Sequence, residues 1–166
     1  MDKQNKYEIS KNTSSFSWIT TINCWLLWFN TRKNKQIIFT GKLNSLKGYD
    51  VFGDAILRIL DKYPDWNAVV AGNEPREKFT FNHKNLKILG FQKHNVVSKY
   101  FKASDISVVC SRWNEPFGRT ALEASSCGCA VIITNRGGLP EASPYAIKIN
   151  KLNSRNLESN ISKIIS

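Results

Sequence analysis

The sequence predicts an α/β fold, a parallel sheet covered on both faces by helices, and three observations predict it. Short apolar runs without polar alternation recur along the second part of the chain, as in IIFT, AVVA and AVIIT. Such runs suit strands buried on both faces. Between them lie stretches with apolar residues three and four apart, the period of an amphipathic helix. The 166 residues are 42% hydrophobic and 22% charged, enough for one domain with its own core and unlike a disordered chain.

In chain order, 37–40 reads as the first buried strand, followed by the loop GKLNSLKG. A helix is expected over 49–63, where Val51, Phe52, Ala55, Ile56, Ile59 and Leu60 make one apolar stripe. NAVVAG is the second strand, ended by Gly72. NEPREKFTFNHKN reads as a polar loop, LKILG as a third strand, and 92–103 as a helix burying Val96, Val97, Tyr100 and Phe101. DISVVCS is the fourth strand, and GRTALEASSCG a helix closed by Gly128. AVIIT is the fifth strand, LPEAS a short helix, AIKI a last strand and 155–165 a terminal helix.

Residues 1–35 stand apart from this pattern, with a polar leader, three tryptophans within FSWITTINCWLLWF and the basic TRKNK. They are expected to be a leader or linker remnant, and 36–166 the folded domain. The start lacks the order of a signal peptide, and no apolar stretch reaches the roughly twenty residues of a membrane span. Cys24, Cys110, Cys127 and Cys129 read as reduced thiols, because a one-residue gap suits neither a disulfide nor zinc. The expected setting is therefore cytoplasmic.

Lysine and arginine exceed acidic residues by 24 to 13, a net charge of +11. This favours an anionic partner, while the scattering of the charge argues against nucleic acid. His83 and His94 have no ligand at metal spacing and read as surface residues. In open parallel sheets ligands sit beyond the carboxyl ends of the strands. There the sequence places Lys42 and Lys47, two ammonium groups suited to a diphosphate. It also places Glu115 and a turn whose Phe117, Gly118 and Arg119 amides would open a helix and form an anion site. Glu123 follows eight residues after Glu115, a helical span of roughly 12 Å, so the two carboxylates would touch different parts of an elongated ligand. Gly137 and Gly138, in NRGGLPEA, permit close backbone approach. No Walker loop, GxGxxG, HExxH or GxSxG is present.

The ordered set IIFTGKLNSLKGYD, VVAG, LGF, EPFGRTALEASSCGCAVIIT and GGLPE closely resembles the donor-binding, C-terminal half of retaining GT-B glycosyltransferases of the group 1, or family 4, type. The resemblance covers about 36–165 and includes that family's E-x7-E signature. It implies a Rossmann-like doubly wound sheet and transfer of a sugar from a nucleoside-diphosphate sugar, with retained anomeric configuration and no obligatory metal or other cofactor. By position it implies that Glu115 is catalytic and holds the donor sugar's hydroxyls, and that Glu123 takes the ribose hydroxyls. Lys42, where the family carries Arg, and Lys47 would neutralise the diphosphate. The amides of Phe117, Gly118 and Arg119 would meet sugar or phosphate oxygens, and Gly90 and Phe91 would border the base. The acceptor is expected to be a saccharide or lipid-linked saccharide, with peripheral contact at the inner face of the membrane. An acceptor-binding N-terminal GT-B domain, in cis or in trans, would complete the site. The alternatives are a non-catalytic nucleotide-sugar-binding or partner subunit, and a sugar-nucleotide epimerase of the same shape.

Overall fold

The structure is a computed structural model that describes residues 33–166. The expected leader, including its tryptophans and Cys24, lies outside the described residues except for its last three positions. Six parallel strands run β1 (Gln36–Thr40), β2 (Asn67–Ala71), β3 (Leu86–Ile88), β4 (Ile106–Val109), β5 (Ala130–Thr134) and β6 (Ile147–Ile149). The helices are α1 (Tyr49–Lys62), α2 (His94–Ala103), α3 (Arg119–Ser126), α4 (Leu139–Ala142) and α5 (Ser154–Ile165).

The strand order is β3-β2-β1-β4-β5-β6, with every adjacent pair parallel. The chain therefore winds outward from β1 in one direction and from β4 in the other, the Rossmann-like doubly wound arrangement. Alternation along β1 divides the core. Ile37 and Phe39 join a cluster built with α1 and α5, while Ile38 joins one built with α2, α3 and α4. The expected stripe of α1 is fully inside, with Phe52, Ala55, Ile56, Ile59 and Leu60 all 0% exposed. Burying each large apolar side chain stabilises the fold by about 1.5–3 kcal/mol.

Three expectations are corrected. β3 is shorter than LKILG and is partly exposed, as an edge strand can be. α2 begins at His94 rather than two residues earlier, and of its four expected core residues only Phe101 is fully buried. Only its last turn reaches the sheet deeply, which leaves Val96, Val97 and Tyr100 half-buried. The stretch between β2 and β3 is not wholly polar in its packing. Phe79 and Phe81 turn inward and meet the Tyr49 ring edge-on, at centroid distances of 6.1 and 5.4 Å. The Phe81 ring fills the notch left by Gly53 on α1, where a Cβ would lie 2.0 Å from it. Burial pushes the Tyr49 phenol upward, and its hydroxyl has no partner among the described residues.

Among the described residues no helix is long and apolar enough to cross a membrane. Burial pushes the Cys110 thiol up to about 12 and the Cys129 thiol up to about 11, so both are protonated and inert near neutrality.

Candidate functional site

The sheet reverses its winding between β1 and β4, so the loops that leave their carboxyl ends diverge and open a crevice. After β1 the chain makes a 3-10 turn, Ser45–Lys47, which is gripped from three sides. The Asn44 side chain caps it by accepting from the Lys47 amide at 3.0 Å, and Glu77 accepts from the Ser45 amide at 2.9 Å. From the β4 loop, the Arg112 amide donates to the Leu46 carbonyl at 2.8 Å. The Arg112 guanidinium donates to the Ser45 carbonyl and to both Asp50 oxygens, the latter at 2.7 and 2.8 Å. Burial alone would raise the Asp50 carboxyl, but hydrogen bonding and charge from Arg112 hold it below the usual range.

This grip aims Lys47 at Glu115, and the two side chains form an ion pair, 30% and 18% exposed. Glu115 is held in turn by the loop after β5, where the Gly138 amide donates to the Glu115 carbonyl at 2.6 Å. Gly137 makes this approach feasible, since a Cβ there would lie 2.4 Å from that carbonyl oxygen. Lys47 and Glu115 line a narrow cavity of about 50 Å³, with Thr40, Gly41, Ser111, Gly118, Arg119 and Thr120 around them.

α3 starts one step later than the sequence implies. Gly118 adopts the left-handed region, φ 60°, and the helix begins at Arg119. The amides without helical acceptors at its start are therefore those of Arg119 and Thr120, and Phe117 lies outside the helix with its ring 79% exposed.

A wider cleft of about 930 Å³ adjoins the narrow cavity and shares Thr40, Gly41, Arg119 and Thr120 with it. Its lining includes Lys42, Phe91 and Glu123. Lys42 and Lys47 thus open into adjacent cavities rather than onto one point. Gly90 is not part of this lining, and its carbonyl instead accepts from the Gly72 amide at 2.8 Å. Gly72 in turn packs so closely on Gly41 that a Cβ would lie 1.7 Å from the Gly41 carbonyl oxygen. Facing the cleft, Glu74 is gripped by Arg76 through two hydrogen bonds of 2.7 and 2.9 Å, and that contact pulls its carboxyl down to about 2.

Glu123 lies between two nitrogens, Arg119 Nη2 at 3.8 Å from one oxygen and His94 Nδ1 at 3.9 Å from the other. Both are too far for a hydrogen bond, so each oxygen keeps its acceptor capacity. A carboxylate with two free acceptors suits a vicinal diol. His94, which sequence reasoning leaves on the surface without a role, was missed because nothing local links it to Glu123. His83 is also not a plain surface group: it is 13% exposed, with Nε2 3.4 Å from Asp61.

The family model for glycosyl transferases group 1 matches residues 29–144. The D-inositol 3-phosphate glycosyltransferase of Corynebacterium jeikeium is 34% identical over 120-odd residues, 66% of this chain and 29% of that protein. Across the first curated relatives the chain spans about a third of their length. The crystal structure of the C-terminal domain of a group 1 family glycosyl transferase, LpcC from Francisella tularensis, superposes with a TM-score of 0.68 at 27% identity, over 86% of this chain and 80% of that one. Anabaena Alr3699/HepE, solved in complex with UDP-glucose, shares the fold with a TM-score of 0.68 at 23% identity, over 92% of this chain and 44% of that one. A Rossmann-like sheet with its crevice at the β1–β4 reversal, the family match over most of the chain and the GT-B neighbours agree: the chain belongs to the group 1 glycosyl transferases.

Proposed function

We propose that this chain is the donor-binding domain of a retaining glycosyltransferase that moves a sugar from a nucleoside diphosphate to a saccharide or lipid-linked saccharide. One observation carries the reading. Two adjoining cavities divide the expected site residues between them, Lys47 and Glu115 in one at the carboxyl ends of β1 and β4, Lys42, Phe91 and Glu123 in the other at the ends of β1 and β2. An extended donor fits this division, with ribose on Glu123, the base towards Phe91, the diphosphate between Lys42, Lys47 and the start of α3, and the sugar on Glu115.

In the transfer, the bond from the anomeric carbon to the β-phosphate oxygen breaks with its electron pair left on that oxygen, a bond to the acceptor oxygen forms, and the acceptor hydroxyl's proton passes to the departing phosphate or to solvent. The diphosphate leaves with added negative charge. Lys42, Lys47, Arg119 and the positive end of α3 stabilise that charge without requiring a metal. Glu115 orients the sugar through its hydroxyls. In this reading the acceptor site comes from a second GT-B domain closing over the crevice, in cis or in trans. Closure would exclude water and strengthen each of these electrostatic contacts.

Calorimetric titration with UDP-glucose, GDP-mannose and ADP-glucose tests the reading. One donor should bind, its nucleoside diphosphate should compete with it, and Lys47→Ala should weaken both. Absence of binding by all three would overturn the assignment.

A further inference from the structure

We propose that His94 is a donor-binding residue of the wide cleft and makes donor affinity higher at pH 6 than at pH 8. The proposal deepens the donor-site reading and rests on it. His94 opens α2 and lines the same cleft as Glu123, on the facing helix α3. Its Nδ1 stands 3.9 Å from Glu123, and its side chain is 73% exposed, so it can reach a ligand lying in the cleft.

The charged groups around it come from every element that borders the cleft. Lys42 stands on the loop after β1, Glu74 and Arg76 on the loop after β2, and Arg119 and Glu123 on α3. These three cations and two carboxylates leave a surplus of one positive charge while the imidazole is neutral. Protonation of His94 raises the surplus to two. Histidine is the side chain that changes charge between pH 5 and 8. A donor diphosphate is an anion, and in the donor-site reading it lies where this cleft joins the narrow cavity, near Lys42 and Arg119. The proton on His94 also offsets the carboxylate of Glu123, which otherwise repels the diphosphate while accepting the ribose hydroxyls. By linkage, a ligand that prefers the charged imidazole binds more tightly as pH falls.

Nucleotide-sugars are the probes to use, because both of their phosphates are esterified and the ligand's own charge stays constant between pH 6 and 8. UDP-glucose, GDP-mannose and ADP-glucose are titrated into the wild-type chain and into His94→Gln by calorimetry at both pH values. Thermal unfolding confirms that the exposed substitution leaves the fold intact. The wild type should bind the accepted donor about threefold more tightly at pH 6, the scale of one exposed charge contact. His94→Gln should lose that difference and bind the accepted donor no more tightly at pH 6 than at pH 8. A wild type without pH dependence, or a variant that keeps the full difference, would overturn the role of His94 and leave the donor site standing. Failure of all three donors to bind the wild type at either pH would remove the donor-site reading itself, and this inference with it.

Discussion

Lys47 and Glu115, 68 residues apart in sequence, close on one another as an ion pair where the ends of β1 and β4 diverge. Each is therefore the other's competitor. A diphosphate that takes the ammonium of Lys47 must draw it from Glu115, and in doing so frees the carboxylate to accept sugar hydroxyls. On the proposed reading, the pair would link occupancy of the phosphate position to readiness of the sugar position.

Lys47→Ala should accordingly weaken nucleoside diphosphate binding by about 1.5–3 kcal/mol, the worth of a charge-assisted contact. The nucleoside without phosphates should bind as before. Glu115→Gln should tighten the free diphosphate severalfold, since the competitor for Lys47 is gone. Calorimetry on the two ligand forms checks this, and equal losses for nucleoside and diphosphate would assign Lys47 to the fold instead.

The two glutamates should separate by ligand. Glu123→Ala should weaken the nucleotide with and without its sugar by about 1.5–3 kcal/mol, because ribose is common to both. Glu115→Gln should weaken only the sugar-bearing donor. Identical profiles for the two variants would contradict their placement in different cavities.

The helices were legible from their period, with the stripe of α1 from Val51 to Leu60 the clearest case, and the strands from their short unbroken apolar runs. The strand-end loops were legible for a similar local reason: the glycines and the spacing of Glu115 and Glu123 lie within short stretches. What escaped depends on contacts between distant segments. Phe79 and Phe81 sit among charged residues, and only partners on another element, the Tyr49 ring for both and the notch at Gly53 for Phe81, show that they turn inward. His94 gains meaning from Glu123, on a helix that follows a further strand. Arg112 reads as one more surface base until its fork is seen around Asp50 and the Ser45 carbonyl.

Gly137 and Gly90 make a controlled comparison, because both have positive φ, 52° and 69°, and only one is crowded. Gly137→Ala should cost about 1–3 kcal/mol of stability and displace Glu115, so donor-sugar binding falls more than diphosphate binding. At Gly90 a Cβ meets nothing within 4 Å, so Gly90→Ala should cost about 1 kcal/mol of backbone strain and leave the ligand profile unchanged. Thermal unfolding together with titrations of donor and diphosphate reads both effects.

The Arg112–Asp50 contact should act on ligand binding through Lys47, although neither residue lines the cavity that Lys47 shares with Glu115. Arg112 braces the 3-10 turn from outside, and its fork needs the Asp50 carboxylate to stay ionised. Asp50 has a folded-state pKa held below its ordinary value, so the stability it contributes is complete above about pH 4 and is lost as pH falls through the folded value. Both side chains are partly exposed, 38% for Arg112 and 30% for Asp50, which keeps the contribution within about 1 kcal/mol. Asp50→Asn should abolish that part of the acid dependence. At neutral pH it should weaken diphosphate binding about two- to threefold, because the turn that aims Lys47 loses one of its grips. Arg112→Lys keeps the charge but not the planar fork and should recover only part of the wild-type affinity. Unfolding midpoints between pH 3 and 7, set beside diphosphate titrations at pH 7, decide the matter. An Asp50→Asn chain with wild-type diphosphate affinity would show that the turn is positioned without this contact.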